Sequence, residues 1–194
     1  LIRKAVWKAA GACKDITAAH LQAVADLLEK QTGRYVKLPY GLTATRVYNV
    51  IEIMGKRKET EKICLPIDTD RLPENLLAGE WKFSFKKFLY DGNTDKIPRK
   101  MYTKWFDYDK IKDSLAIRNR RKGDYFVLDA AGHHKKLEDY FVNEKIPASH
   151  RDEQLLLAGE DEIFWIVGGR MAYGTGISDA TRWVLEITAS NSSH

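Results

Sequence analysis

At residue 34 the spacing of apolar residues changes, and this change constrains the fold more than any other feature of the chain. Before it, apolar side chains recur at helical intervals. Ile2, Val6 and Ala9 or Ala10 share one face of a predicted helix over residues 1–12. Thr17 is placed to cap a second helix whose stripe is Leu21, Val24, Leu27 and Leu28, with Gly33 at its C′ position. After it, the apolar residues alternate, as strands with one buried face require. Tyr35-Val36-Lys37-Leu38-Pro39 and Ala44-Thr45-Arg46-Val47-Tyr48 do so around a turn at Gly41, and Asn49 to Ile53 continue in β-branched residues. Residues 81–90 and 101–108 carry alternating aromatics: Trp81, Phe83 and Phe85, then Tyr102, Trp105 and Phe106. Leu115 to Arg118 predicts a strand, and Gln154 to Ala158 with Ile163 to Val167 a hairpin around Gly159-Glu160-Asp161. Trp183 to Ile187 predicts the last strand. One later helix is expected over 135–145, with Leu137, Tyr140 and Phe141 inward, stopped before Pro147.

The class that follows is α+β. A helical pair precedes short antiparallel strands, and a second small α+β domain follows, with a mixed or antiparallel sheet and one main helix. The polar run 55–62 reads as a joint. The expected division is a helical segment at 1–33, a first domain at 34–110 and a second at 111–194. Hydrophobic residues make up 44% of the chain, which excludes a disordered one. Cys13 and Cys64 sit in no ligand-spaced motif, so two reduced, part-buried thiols of a cytosolic protein are expected. No metal site is predicted. No apolar run approaches the ~20 residues of a membrane helix, and no signal-peptide pattern stands out. Leu1 in place of Met, with the polar end Ser190-Asn191-Ser192-Ser193-His194, predicts a piece of a longer protein.

Charge is organised in blocks. Residues 1–58 hold 11 Lys/Arg against 4 Asp/Glu, and residues 96–136 hold 12 against 5, so each block is net +7. The blocks between and after them are acidic. Basic blocks attract polyanions through counterion release, and equally they can form a solvated surface whose charges balance after folding.

The densest candidate is Arg118-x-Arg120-Arg121-Lys122-Gly123-Asp124, followed by Gly132-His133-His134-Lys135-Lys136-Leu137. On a strand, Arg118 and Arg120 would share a face, and Gly123 would permit a turn. Lys135 and Lys136 would stand at a helix N-terminus, where positive side chains are unfavourable unless an anion lies nearby. This arrangement suits a phosphate backbone. The alternative is a solvated turn whose members pair with Glu138, Asp139 and Glu144. His133 and His134 lack a partner at ligand spacing, and a contact to phosphate suits them better than a metal. Gly168-Gly169-Arg170 with Gly174-x-Gly176 lacks the residues of a phosphate loop and reads as a bend, from which Arg170 could reach a phosphate. The Trp81 to Phe88 stretch is a stacking platform or, as its spacing favours, core. No nucleophile elbow is present, and no catalytic residue is predicted.

The run Arg118 to Asp124, then Lys135-Lys136-Leu137-Glu138-Asp139-Tyr140-Phe141, Lys145-Ile146-Pro147 and Arg151, resembles the last domain of bacterial tRNA(Ile)-lysidine synthetases. Ile163 to Gly168 fits it too. Lys14-Asp15-Ile16-Thr17 with His20, Lys30-Gln31-Thr32-Gly33 and Leu38-Pro39-Tyr40-Gly41-Leu42 resemble the segment after that family's catalytic domain. The resemblance implies a parent ligase that uses ATP and magnesium to join lysine to the wobble cytidine of the isoleucine tRNA with a CAU anticodon. The family's S-G-G-x-D-S loop for ATP does not occur in these residues. It therefore implies no cofactor held by this part, an N-terminal catalytic domain as partner, and a role in binding the tRNA body and acceptor stem in the cytoplasm. Carried over by position, Arg118, Arg120, Arg121, Lys122, Lys135, Lys136, Arg151 and Arg170 become the nucleic-acid-binding candidates, with His133 and His134 ranked lower. Two other readings remain at this stage. In one, the charge blocks pair two copies of the chain as a dimerisation module with incidental RNA contact. In the other, His133, His134 and Asp124 form an acid–base site.

Overall fold

The computed structural model describes residues 2–11, 14–55, 62–111 and 115–191. Cys13, residues 56–61 of the predicted joint and the last three residues of the polar end lie outside them. The chain divides into two units, Leu1–Thr60 and Glu61–His194.

In the first unit, α1 (Ile2–Ala10) precedes α2 (Ala18–Asp26). Thr17 caps α2 as its position predicts: its Oγ1 accepts from His20 N–H at 3.4 Å, and its own N–H donates to His20 Nδ1 at 3.2 Å. The imidazole thus takes the part that Glu or Gln plays in most such boxes. The helix then tightens into a 3₁₀ turn, Leu27–Glu29. Tightening rotates the stripe, so Leu27 is buried while Leu28, expected inside, is 51% exposed. Strands β1 (Tyr35–Lys37), β2 (Thr43–Val47) and β3 (Val50–Met54) form an antiparallel sheet in that order. Val6, Val24, Leu27, Leu38, Leu42 and Ala44 form the core beneath it.

The second unit contains β4 (Cys64–Ile67), β5 (Asn75–Ala78), β6 (Trp81–Leu89), β7 (Thr103–Asp107) and a turn of helix, α3 (Tyr108–Ile111). Then come β8 (Leu115–Arg118), β9 (Tyr125–Val127), β10 (His134–Lys136), α4 (Leu137–Asn143) and α5 (Ala148–Arg151). The last strands are β11 (Leu156–Ala158), β12 (Ile163–Ile166) and β13 (Trp183–Asn191). They make two four-stranded sheets, β12-β11-β8-β4 and β5-β6-β13-β7, and the hairpin β9-β10. Every strand pair is antiparallel. The chain is thus α+β.

The sheet β12-β11-β8-β4 is covered on both faces. Ile117, Leu157 and Trp165 meet Phe83, Phe106, Leu185 and Ile187 of the other sheet in one core. Leu156, Ala158, Ile163 and Ile166 meet Phe126, Leu137 and Phe141 of the hairpin and α4 in a second. Two covered faces explain why β11 and β12 are apolar at every position rather than alternating. The inward residues of α4 are Leu137 and Phe141 as predicted, with Tyr140 half-buried.

The expected boundary at 110 falls inside this unit, and the one at 33 inside the first. Strand β13 lies between β6 and β7, and β4 pairs with β8. Partners so far apart in sequence leave no trace in local periodicity, so only the sheet reveals that residues before and after 110 share one core.

Candidate nucleic-acid interface

Strand β8 ends at Arg118, and the chain then turns through the basic run before entering β9. Arg118 is 1% exposed, and it forks onto Asp124 with bonds of 2.9 and 2.8 Å to the two carboxylate oxygens. Its guanidinium also donates to the carbonyls of Asn119 and Glu160, at 3.1 and 3.0 Å. Asp124 is 2% exposed and accepts a further bond from Arg121 N–H at 2.7 Å. A guanidinium and a carboxylate can be buried together only when paired and hydrogen-bonded to this degree. The ion pair closes the turn, and Gly123, at φ 100°, takes the left-handed conformation that the closure needs.

Arg118 is therefore withdrawn from the predicted contact set, and it does not share a face with Arg120, because the strand ends before Arg120 is reached. Asp124 is withdrawn from the acid–base reading, since both of its oxygens are engaged. The same clamp holds the remaining basic residues outward. Arg121 and Lys122 are exposed, and Arg120 is half-buried. Arg120 binds Asp152 at 2.7 Å and reaches Glu138 at 3.6 Å. The predicted pairing with the start of α4 thus exists for one arginine, while the partner from 152 is new. Arg121 donates to Cys64 Sγ at 3.0 Å, and that thiol is exposed rather than part-buried as expected.

The start of α4 is tied to the same turn, for Leu137 N–H donates to the Asp124 carbonyl at 2.9 Å. Lys136 is the N-cap of α4 and is exposed. Glu138 and Asp139 stand in the first helical turn and offset the unfavourable charge there. Lys135 does not share a face with Lys136. Both lie on β10, where successive side chains point to opposite faces, and Lys135 stands opposite Phe126, half-buried. Arg120, Arg121, Lys122 and Lys136 are the candidates gathered at this end of the unit.

The others serve elsewhere. Arg151 Nε donates to the Ile146 carbonyl at 2.9 Å and fastens the step between α4 and α5. Arg170 is exposed, with its guanidinium 5.5 Å from the Phe126 ring centre and 3.5 Å from the Leu128 carbonyl. Gly168 and Gly169 do form a bend, Gly169 N–H donating to the Ile166 carbonyl at 2.7 Å. His133 Nδ1 lies 2.9 Å from Asp129, and the Ala131 and His133 amides donate to the same carboxylate. The bond to His133, then those amides, hold the Asp129 carboxyl below its ordinary value. His134 packs its ring 5.1 Å from Tyr125. Among the described residues, no group of three His, Cys, Asp or Glu is placed to hold a metal ion. No helix among them is long and apolar enough to cross a membrane.

Sequence reasoning missed what Asp124 and Asp152 do. Asp124 stood in the motif, and its place six residues after an arginine at a strand end was the available signal. Nothing local pointed to Asp152. The aromatic stretch is core in part: Phe83 and Phe85 are buried, whereas Trp81 and Phe88 are half-exposed.

Residues 115–187 match the family model described as the TilS substrate C-terminal domain. The chain is 32% identical over 188 residues to the tRNA(Ile)-lysidine synthase of Caldanaerobacter subterraneus subsp. tengcongensis, covering 96% of this chain and 40% of that protein. It is 29% identical over 196 residues to the enzyme of that name from Clostridium perfringens, covering 97% and 42%. The chain thus spans about two fifths of the length of these relatives. A crystal structure of a TilS C-terminal domain shares the fold with a TM-score of 0.50 and 19% identity, over 68% of this chain and 98% of that one.

Proposed function

We propose, on the premise that this chain belongs through residues 115–187 to the TilS substrate C-terminal domain family, that it is the tRNA-holding part of a tRNA(Ile)-lysidine synthase. In this reading it grips the body and acceptor stem of the isoleucine tRNA with a CAU anticodon. A catalytic domain elsewhere in the parent enzyme uses ATP and magnesium to join lysine to the wobble cytidine.

The observation that carries the reading is the clamped basic turn. Arg120, Arg121, Lys122 and Lys136 stand on or beside a turn whose backbone is fixed by the buried Arg118–Asp124 pair, so the main-chain positions that carry them are set before RNA arrives. A main chain already fixed loses little conformational entropy on binding. A-form RNA presents its phosphates and 2′-hydroxyls to such a surface, while its narrow major groove hides the base edges. Affinity at this turn should therefore follow phosphate spacing and salt more than sequence.

The test is a salt series with the unmodified isoleucine tRNA and an elongator methionine tRNA. Salt-dependent binding that weakens in the Arg120→Ala/Lys136→Ala variant is expected. Binding that does not weaken in that variant would remove the turn from the reading. A preference for the isoleucine tRNA would place discrimination in this chain, and equal binding would leave it a general tRNA grip.

A further inference from the structure

Beside the basic turn lies a cleft of about 280 Å³ lined by Trp81, Tyr102, His150, Glu153, Gln154, Leu155, Val167 and Gly168. We propose that this cleft takes one unpaired nucleobase bearing an exocyclic amino group, from the RNA that the basic turn holds. The inference rests on the RNA-binding reading above and adds a base-recognition site to it.

Four features argue for it. The first is shape. The rings of Trp81 and Tyr102 pack on each other, 5.2 Å apart between centres and tilted by 42°, which makes an apolar, wedge-shaped corner on which a base stacks from the cleft side without entering between the rings. The cleft's volume lies just below the range for ligand pockets, about 300–1,000 Å³, and suits a single base rather than a whole nucleotide. Splayed bases stacked on aromatic side chains are the usual means of reading unpaired RNA.

The second is polarity. Gln154 Nε2 donates to the carbonyls of Leu155 and Val167, at 3.1 and 2.9 Å. Both of its N–H groups are engaged, so the polar valence left to the amide is the acceptor Oε1. The neighbouring Glu153 brings a carboxylate, also an acceptor. Acceptors beside ring faces select a flat ligand with N–H donors. Adenine, cytosine and guanine carry such an amino group on the Watson–Crick edge, whereas uracil has two carbonyls there flanking a single ring N–H.

The third is preorganisation. A Cβ on Gly168 would lie 2.7 Å from Tyr102 Cε1, so the tyrosine ring rests directly on glycine backbone at φ 75°. The Tyr102 carbonyl accepts from Ala189 N–H at 2.8 Å, which fixes its main chain as well. The wedge is built before any ligand arrives.

The fourth is continuity. Arg120 of the basic turn is bonded to Asp152, whose next residue is Glu153 in the cleft wall, and Arg151 adjoins His150. One short segment joins the phosphate grip to the cleft.

The experiment measures binding of short single-stranded oligo(A), oligo(C), oligo(U) and an abasic strand of equal length to the whole chain at low salt. Oligo(A) and oligo(C) should bind roughly tenfold tighter than the abasic strand, as expected for one gained stack, and about threefold tighter than oligo(U), which stacks but lacks the amino donor. Trp81→Ala and Tyr102→Ala should each abolish that preference. Trp81→Phe keeps a ring and should retain it, which separates loss of stacking from loss of fold. Equal binding of all four strands would overturn the cleft while leaving the backbone grip intact. Displacement of oligo(A) by a lysine- or arginine-containing tripeptide, but not by adenosine, would overturn it in favour of a cation site. No binding of any strand, with tRNA binding also absent, would sink the RNA reading itself.

Discussion

Two stretches of this chain have the same net charge and use it differently. Residues 1–58 and residues 96–136 are each net +7. In the first, Arg3, Lys4, Lys8, Lys14, Lys30 and Lys37 are exposed and spread over one helix, a strand and the links between elements. In the second, one arginine is sunk into the protein to make a clamp, a second is bonded to a distant aspartate, and two more basic residues are held out from the turn so formed. Net charge determines how strongly a polyanion is drawn toward a surface. Where the cations are held determines whether their spacing can match that of phosphates. The turn gains its definition from a buried ion pair that is itself closed off from solvent.

The largest expected effect tests the clamp. Asp124→Ala should destabilise the second unit by about 3–5 kcal/mol, because it strands a buried guanidinium. Replacing both partners, as Arg118→Met with Asp124→Leu, should lose much less than either single change, since no unpaired charge remains. Urea unfolding of Arg118→Met, Asp124→Leu and the double variant decides this, and equal losses in all three would mean that the pair is not a coupled clamp. The next effect separates the two basic stretches. Arg121→Ala/Lys122→Ala should lower the salt slope of tRNA binding by about two, roughly one for each phosphate no longer neutralised. Arg3→Ala/Lys4→Ala removes the same charge and should lower it by less. Equal changes would erase the distinction between held and scattered charge. The smallest effect concerns the hairpin that carries His133. Asp129 has its carboxyl held below the ordinary value of 3.8, so its bond to His133 favours the folded state above that value. That contribution is lost as pH falls through the depressed value, because the unfolded chain takes up the proton more readily. Carboxyl-carbon NMR should show Asp129 titrating below the ordinary value, and His133→Ala should move it back up.

Much of the fold was legible in the sequence where the signal is local. Thr17 caps a helix because its neighbours three residues on are within reach, and Leu137 and Phe141 face inward because four residues bring a helix round to the same side. The hairpin at Gly159-Glu160-Asp161 follows from apolar runs on either side of turn residues. Strands β4, β5, β9 and β10 went unpredicted. They are short, and β4, β9 and β10 are defined by partners more than by their own pattern. The candidate site divides in the same way. That residues 118–136 carry a concentration of cations is written in the sequence, and so is their family pattern.

Which cations face solvent was decided by the tertiary structure. Arg118, Arg120 and Arg121 are nearly adjacent and chemically alike, yet their partners come from Asp124, Asp152 and Cys64, at sequence separations of 6, 32 and 57. The cleft between Trp81 and Tyr102 is likewise invisible until β13 has brought the strands around 81 and 102 into one sheet. Sequence determined the periods, the caps and the amount of charge, because these depend on residues within a few positions of one another. Burial and pairing depend on which distant segments meet, and a one-dimensional pattern does not record that.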